Sequence, residues 1–171
     1  MISEKLVKAI NEQINKELYS EYLYLSMAVH LAHKNLDGFA NFMFVQAQEE
    51  HLHATKMIDY LLERGGKVQL KRVDEPKTEF DSVTEIFELA WDHEKFISES
   101  INKLMDLAIG LNDHSAKGFL QWYVDEQVEE EASMEKIVNK LHMIKDSPHG
   151  LMMIDSQLAQ RVFNPMEDQQ K

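Results

Sequence analysis

The sequence predicts an all-α protein: a bundle of four long helices with one long crossover between helices 2 and 3, plus a short C-terminal fifth helix. Three observations predict it. Apolar residues recur at helical spacing along four long stretches, while strand signals are absent. Two connections are short turns, and the third, residues 67–81, is long and lacks a helical period. Polar side chains able to hold a metal interrupt the apolar stripe of each of the four long helices, at offsets that repeat.

The first helix is predicted over about residues 4–33, a stretch without Gly or Pro. Its stripe runs Ile10, Ile14, Glu17, Glu21, Tyr24, Ala28, Leu31. Asn35-Leu36-Asp37-Gly38 reads as a turn with Asp37 as N-cap. The second helix, about 38–64, carries Phe39, Met43, Gln46, Glu50, His53, Met57 and Tyr60, and Gly65-Gly66 stops it. Each helix would be roughly 40 Å long at ~1.5 Å per residue. Residues 67–81 read as an ordered crossover and not as an interdomain linker. Ser82-Val83-Thr84-Glu85 is a capping box that opens the third helix. That helix carries Phe87, Ala90, Glu94, Ile97, Ile101, Met105 and Ala108, with Gly110 at its end. Asn112-Asp113 caps the fourth, with Leu120, Tyr123, Gln127, Glu130, Met134, Ile137 and Leu141 inward. Ser147-Pro148, an N-cap followed by Pro at the first helical position, opens the fifth. Its stripe of Leu151, Ile154, Leu158 and Val162 must be buried away from the bundle interior, with another subunit as one candidate cover.

The chain reads as one domain over residues 1–171, with the bundle at about 4–142, the fifth helix at about 148–162 and a mobile polar tail at 164–171. A hydrophobic share of 44% against 28% charged residues sets it apart from a disordered chain. Eighteen basic against 30 acidic residues leave a net charge of −12, which argues against nucleic acid and anionic membranes and suits a cation partner. The absence of cysteine excludes disulfides, thiolate zinc sites and iron–sulfur clusters, and leaves the redox compartment open. The N-terminus leads into an amphipathic pattern with no apolar leader, and no run approaches membrane-spanning length, so the expected compartment is the cytoplasm.

The stripes place Glu17, Glu50, His53, Glu94, Gln127 and Glu130 near the middle of the four helices. Glu50 with His53, and Gln127 with Glu130, are pairs three residues apart and therefore share a helix face. The differences 127 − 50 and 130 − 53 are both 77, and 50 − 17 and 127 − 94 are both 33. Glu49 and Glu126 also repeat at 77. Buried carboxylates cost on the order of several kcal/mol each unless cations compensate them. No Lys or Arg sits on these stripes near the centre, and two divalent cations would balance four carboxylates. Oxygen ligands with one imidazole suit iron or manganese better than structural zinc. The plainer alternative is a metal-free helical scaffold with acids on partly solvated faces. Six residues at matched offsets favour the metal centre.

With these motifs, over nearly its whole length, the chain resembles the non-haem bacterial ferritins, within the ferritin-like di-iron bundles. The second pair departs from the general di-iron pattern, being Gln-x-x-Glu where Glu-x-x-His is usual. The resemblance implies iron storage: a ferroxidase that oxidises Fe(II) with O₂ (or H₂O₂) and keeps the ferric mineral in a hollow shell of twenty-four copies. It implies that Glu17, Glu50 and His53 hold one iron and that Glu94 and Glu130 hold the second. Glu50 would bridge the two and Gln127 would stand close by. It further implies a third iron site at Glu49, Glu126 and Glu129, on the cavity side. Bacterioferritins differ in having Glu-x-x-His in the second pair, and in binding haem through a Met directly after the first-pair Glu. Here that position is His51, so haem is not expected. The alternative function is a rubrerythrin-like di-iron oxidase or peroxidase without a mineral store. Against it stands the lack of a cysteine-rich iron domain.

Several residues carry two readings. Tyr24, two turns after Glu17, matches the family's tyrosine beside the di-iron site, as electron donor or hydrogen-bond partner; otherwise it is a core tyrosine with a satisfied hydroxyl. Trp122 reads as packing ahead of electron donation. His51 and His93 adjoin ligands but point roughly 100° away, and read as surface histidines. Glu49, Glu126 and Glu129 could equally be an ordinary acidic face. The ten methionines read as core filler.

Overall fold

The computed structural model describes residues 2–145 and 147–165. Five helices follow in order: α1 (Glu4–His33), α2 (Asp37–Glu63), α3 (Val83–Gly110), α4 (His114–Ile144) and α5 (Pro148–Leu158). α1 packs on α2 and α3 on α4 as hairpins, α1 meets α3 across the bundle, and α5 rests on α2 and α4. Among the described residues, no helix is long and apolar enough to cross a membrane.

Local chemistry sets the helix ends. Ser3, Ser82, Asp113 and Ser147 each accept a hydrogen bond from a backbone N–H in the first turn of α1, α3, α4 and α5 respectively. Glu85 reaches back to the Asp81 N–H at 2.6 Å. α1, α2 and α3 stop where Asn35, Gly65 and Asn112 turn into positive φ (59°, 73° and 53°). In each case the next N–H folds back onto an earlier carbonyl: Leu36 to Leu31, Gly66 to Leu61, Asp113 to Ala108. Gly110 is therefore the last helical residue of α3 and not its breaker; Asn112 turns the chain. Arg64 closes the same end of the bundle with a two-pronged pair to Asp113 (3.2 and 2.8 Å).

α2 differs from the expectation at its start. Asp37 is its first helical residue, and Leu36 at the N-cap position provides no side-chain cap. The cap comes from α5: Asp155 Oδ1 accepts from the N–H groups of Gly38 (2.9 Å) and Phe39 (3.0 Å).

The crossover lies along α1. Asn11 donates to the Lys67 carbonyl (2.9 Å) and accepts from the Gln69 N–H (2.6 Å). Asn15, one turn on, repeats this with the Gln69 carbonyl (3.2 Å) and the Lys71 N–H (2.8 Å). Ser26 takes the Lys77 carbonyl at 2.7 Å. Three polar side chains at helical spacing thus satisfy backbone that has no ladder of its own.

α5 ends at Leu158, short of the expected boundary near 162. Asn41 Nδ2 takes the Leu158 and Arg161 carbonyls (3.2 and 2.9 Å), which turns the chain off the helix axis. Leu151, Ile154 and Leu158 pack onto the core of this same bundle, so their stripe needs no second subunit, and Val162 is exposed. Of the expected mobile tail, residues 166–171 lie outside the described residues.

The core falls into two apolar clusters. One holds Tyr24, Met27, Phe39, Met43, Phe87 and Met134; the other holds Ile10, Ile14, Met57, Ile101, Leu120 and Tyr123. Between them in sequence, on all four long helices, lies a belt of buried polar side chains.

Candidate metal centre

All six residues expected at the centre are buried, at 1–6% exposure: Glu17, Glu50, His53, Glu94, Gln127 and Glu130. Three overlapping groups of donor atoms, each within 4.8 Å of one another, arise from this belt: Glu17–Glu50–His53, Glu50–Glu94–Glu130 and His53–Glu126–Glu130. Glu50 belongs to the first two, and Glu130 to the last two. The pairing of i, i+3 residues on α2 brings His53 Nδ1 to 3.6 Å from Glu50 Oε2. Gln127 is close to the group as expected, but it acts on Glu94: its Nε2 donates to Glu94 Oε2 at 3.0 Å. Tyr24 Oη also donates to Glu94, through Oε1. Glu94 is thereby oriented by α1 on one side and α4 on the other.

The acids expected as a third set separate. Glu126 joins His53 and Glu130. Glu49 pairs with Arg161, and Glu129 is exposed. Neither Glu49 nor Glu129 enters a three-donor group among the described residues.

The electrostatics are those of crowded carboxylates without cations. Burial pushes the Glu50 carboxyl well above the usual carboxylate range, and facing Glu94 and Glu17 push it further. Glu130 rises for the same reasons, burial first and then Glu94 and Glu50. Burial raises Glu94 too, against the hydrogen bonds from Tyr24 and Gln127 that favour its charged form. At His53 burial works against protonation, but Glu130, Glu17 and Glu126 outweigh it and raise the imidazole above 6.5. Burial, then Glu94 and Glu50, keep the Tyr24 hydroxyl protonated well beyond its ordinary range. Glu17 Oε2 and Glu130 Oε2 are buried without a hydrogen-bond partner. Buried oxygens of this kind are rare unless something else engages them, and a cation held by these donor groups would do so.

The residues outside the ligand set divide. His51 lies on the surface as expected, 3.1 Å from Glu21. His93 does not. It is half-buried, shares a 2.8 Å hydrogen bond with Ser20 Oγ, and meets Tyr24 edge-on with centroids 5.9 Å apart. Burial depresses its pKa to about 4. The 100° rotation from Glu94 directs it at α1, where Tyr19 and Ser20 cover it, and not at solvent. Trp122 packs edge-on against His53 at 5.3 Å between centroids, and Lys56 covers its face.

Gln13 has no place in the predicted stripes, and Gln46, on the stripe of α2, is not predicted there to hold carboxylates. Gln13 donates to Glu17 Oε1 (2.8 Å), and Gln46 donates to Glu130 Oε1 (2.9 Å) and Glu50 Oε1 (3.3 Å). A signal existed: each glutamine precedes its glutamate by four residues, and 46 − 13 is again 33. Arg161, which meets Gln46 and Glu49, left no periodic trace because it lies beyond α5.

The Ferritin-like domain family matches residues 7–144, which include every member of the buried belt. The chain is a member of the ferritin family. It is 44% identical over 155 residues to the bacterial non-heme ferritin of Campylobacter jejuni, across 91% of this chain and 93% of that one. To the bacterial non-heme ferritin of Bacteroides fragilis it is 43% identical, across 94% of this chain and all of the other. A closed form of the Archaeoglobus fulgidus ferritin, engineered by mutagenesis, superposes with a TM-score of 0.94 at 48% identity, covering 96% of this chain and 100% of that one. As a ferritin, the chain is an iron-storage protein with ferroxidase activity, and the buried carboxylate and imidazole cluster is consistent with this role.

Proposed function

We propose that the two donor groups sharing Glu50 each receive one Fe(II) as substrate. Glu17, Glu50 and His53 hold the first, Glu50, Glu94 and Glu130 hold the second, and Glu50 bridges. The observation that carries this is the overlap itself: one carboxylate common to two three-donor groups, in a belt carrying four buried glutamates and no Lys or Arg. Gln127 and Tyr24 orient Glu94, and Gln13 and Gln46 orient the carboxylates of Glu17, Glu50 and Glu130.

Charge drives the sequence of events. Four carboxylates match two Fe(II) ions. Loss of one electron from each ion to O₂ or H₂O₂ leaves two positive charges that these ligands do not balance. Water supplies the balance as hydroxide or oxide, with release of protons, and the product is no longer matched to its ligands. Glu126, which shares a donor group with His53 and Glu130, is placed to take an iron leaving the pair. The oxidised iron is stored as mineral within a cytoplasmic shell of twenty-four copies, and no haem takes part.

Calorimetric titration of the iron-free assembly with Fe(II) under argon tests the pair. Two tight ions per chain are expected, reduced to one or none by Glu50→Ala. A stoichiometry that Glu50→Ala leaves untouched would place the ions elsewhere.

A further inference from the structure

Arg161 lies three residues past the end of α5, yet it reaches the buried belt. Side chains of α2 and α5 put it there: Asp155 seats α5 on the start of α2, and Asn41 holds the Arg161 carbonyl at 2.9 Å. The guanidinium then lies over the Phe42 ring, 4.2 Å from its centroid. Nη1 donates to the Phe42 carbonyl (3.4 Å) and to Gln46 Oε1 (2.9 Å), and Nη2 pairs with Glu49.

The contact with Gln46 has a directional consequence. A carboxamide has one oxygen that accepts and one NH₂ that donates, while a guanidinium only donates. Only the Gln46 oxygen can face Arg161. The NH₂ is therefore turned inward, where it donates to both Glu130 and Glu50. Without the guanidinium the Gln46 oxygen loses its hydrogen-bond donor among the described residues. A flipped amide would present its oxygen to two carboxylate oxygens and would hold neither.

We propose that Arg161 is a positioning residue of the metal centre, acting through the Gln46 amide on the two carboxylates, Glu50 and Glu130, that the donor groups share. This rests on the reading of the belt as a metal centre. A carboxylate fixed by a donor keeps its free lone pairs aimed at the cation, and such outer partners set affinity. Lysine would not substitute, because a compact ammonium cannot span Gln46 and Glu49 as a planar fork does.

The test is anaerobic titration of the iron-free, assembled protein with Co(II), read by its visible absorption, in four forms: unsubstituted, Arg161→Met, Gln46→Leu and the double variant. Arg161→Met is expected to weaken Co(II) binding about 3–10-fold and to change the band intensities, less than the 10–100-fold typical of a residue touching a ligand directly. Arg161→Lys should resemble Arg161→Met, and carries the test if the Met variant does not assemble. Since Arg161 acts through Gln46, the double variant should bind no more weakly than Gln46→Leu alone. Additive losses in the double variant, or an Arg161→Met spectrum identical to the unsubstituted one, would overturn the proposal. If the unsubstituted protein binds no Co(II), the metal-centre reading falls and takes this inference with it.

Discussion

Asp155 accepts a hydrogen bond from the Gly38 N–H at 2.9 Å, so the fifth helix caps the second across 117 residues of sequence. Asp155→Ala leaves two N–H groups of α2 without this partner. The expected loss is about 1–2 kcal/mol, which is a melting temperature about 2–8 °C lower for a chain of this size. Asp155→Asn keeps the accepting oxygen and should retain most of it. Gly38→Ala should be worse than either, because the added Cβ would stand 1.7 Å from the Asp155 carbonyl oxygen and backbone would have to move. Differential scanning of the three variants decides it; equal melting for all of them would mean that α5 does not sit on α2.

Four glutamates buried together cost the iron-free fold stability. Glu17→Ala and Glu130→Ala should each lower the initial rate of Fe(II) oxidation by about 100-fold or more, since loss of mere outer partners already costs 10–100-fold. Glu130→Gln should behave likewise, yet melt at or above the unsubstituted iron-free protein, because a buried charge surrounded by like charges is gone. Stopped-flow absorbance and melting curves on the same samples check both halves. Unchanged initial rates in the two alanine variants would remove these residues from the site.

Much of this was legible in the sequence because helical periodicity and ligand spacing are both local quantities. The stripe positions Phe39, Met43, Glu50, His53, Met57 and Tyr60 of α2 are all buried, and the six centre residues fall together. What escaped depends on contacts between distant segments. Asp37 resembles an N-cap, but α5 had already supplied one. His93 looks exposed from its offset to Glu94 alone, because nothing local shows that Tyr19 and Ser20 of α1 cover it. Arg161 follows a helix whose end is set by Asn41, over a hundred residues earlier.

The pH dependence follows from the shifted groups. Glu50, Glu94 and Glu130 sit above their ordinary 4.5, and His53 above its ordinary 6.5. A raised folded-state value contributes stability that is complete below the ordinary value and lost as pH climbs through the raised one. His93, depressed to about 4, works in the other direction, but only below 6.5. As pH rises above 6.5, where His93 no longer contributes, the iron-free protein should therefore melt progressively lower. Saturating Zn(II) should flatten this slope, since the cation replaces the protons and its binding tightens with pH. Melting that rises over this window in the iron-free protein would contradict the crowded-carboxylate picture.

Tyr24 donates to Glu94 from within the core, and its hydroxyl stays protonated throughout the working range. Tyr24→Phe keeps the ring packing and removes only the donor. A hydrogen bond to a charged group contributes about 1.5–3 kcal/mol, so Co(II) binding should weaken by about 10- to 100-fold at the group containing Glu94, with the Glu17 group much less affected. Equal weakening at both, or none, would reduce Tyr24 to a packing residue.

The proposed function has this chain oxidise Fe(II) and keep the product inside an assembled shell. Size-exclusion chromatography after aerobic Fe(II) loading, with iron assayed across the eluate, tests it most directly. Iron far in excess of a few ions per chain is expected, co-eluting with a particle many times the mass of one chain. A small species with about two irons per chain would contradict storage, and protein eluting free of iron would contradict the metal centre itself.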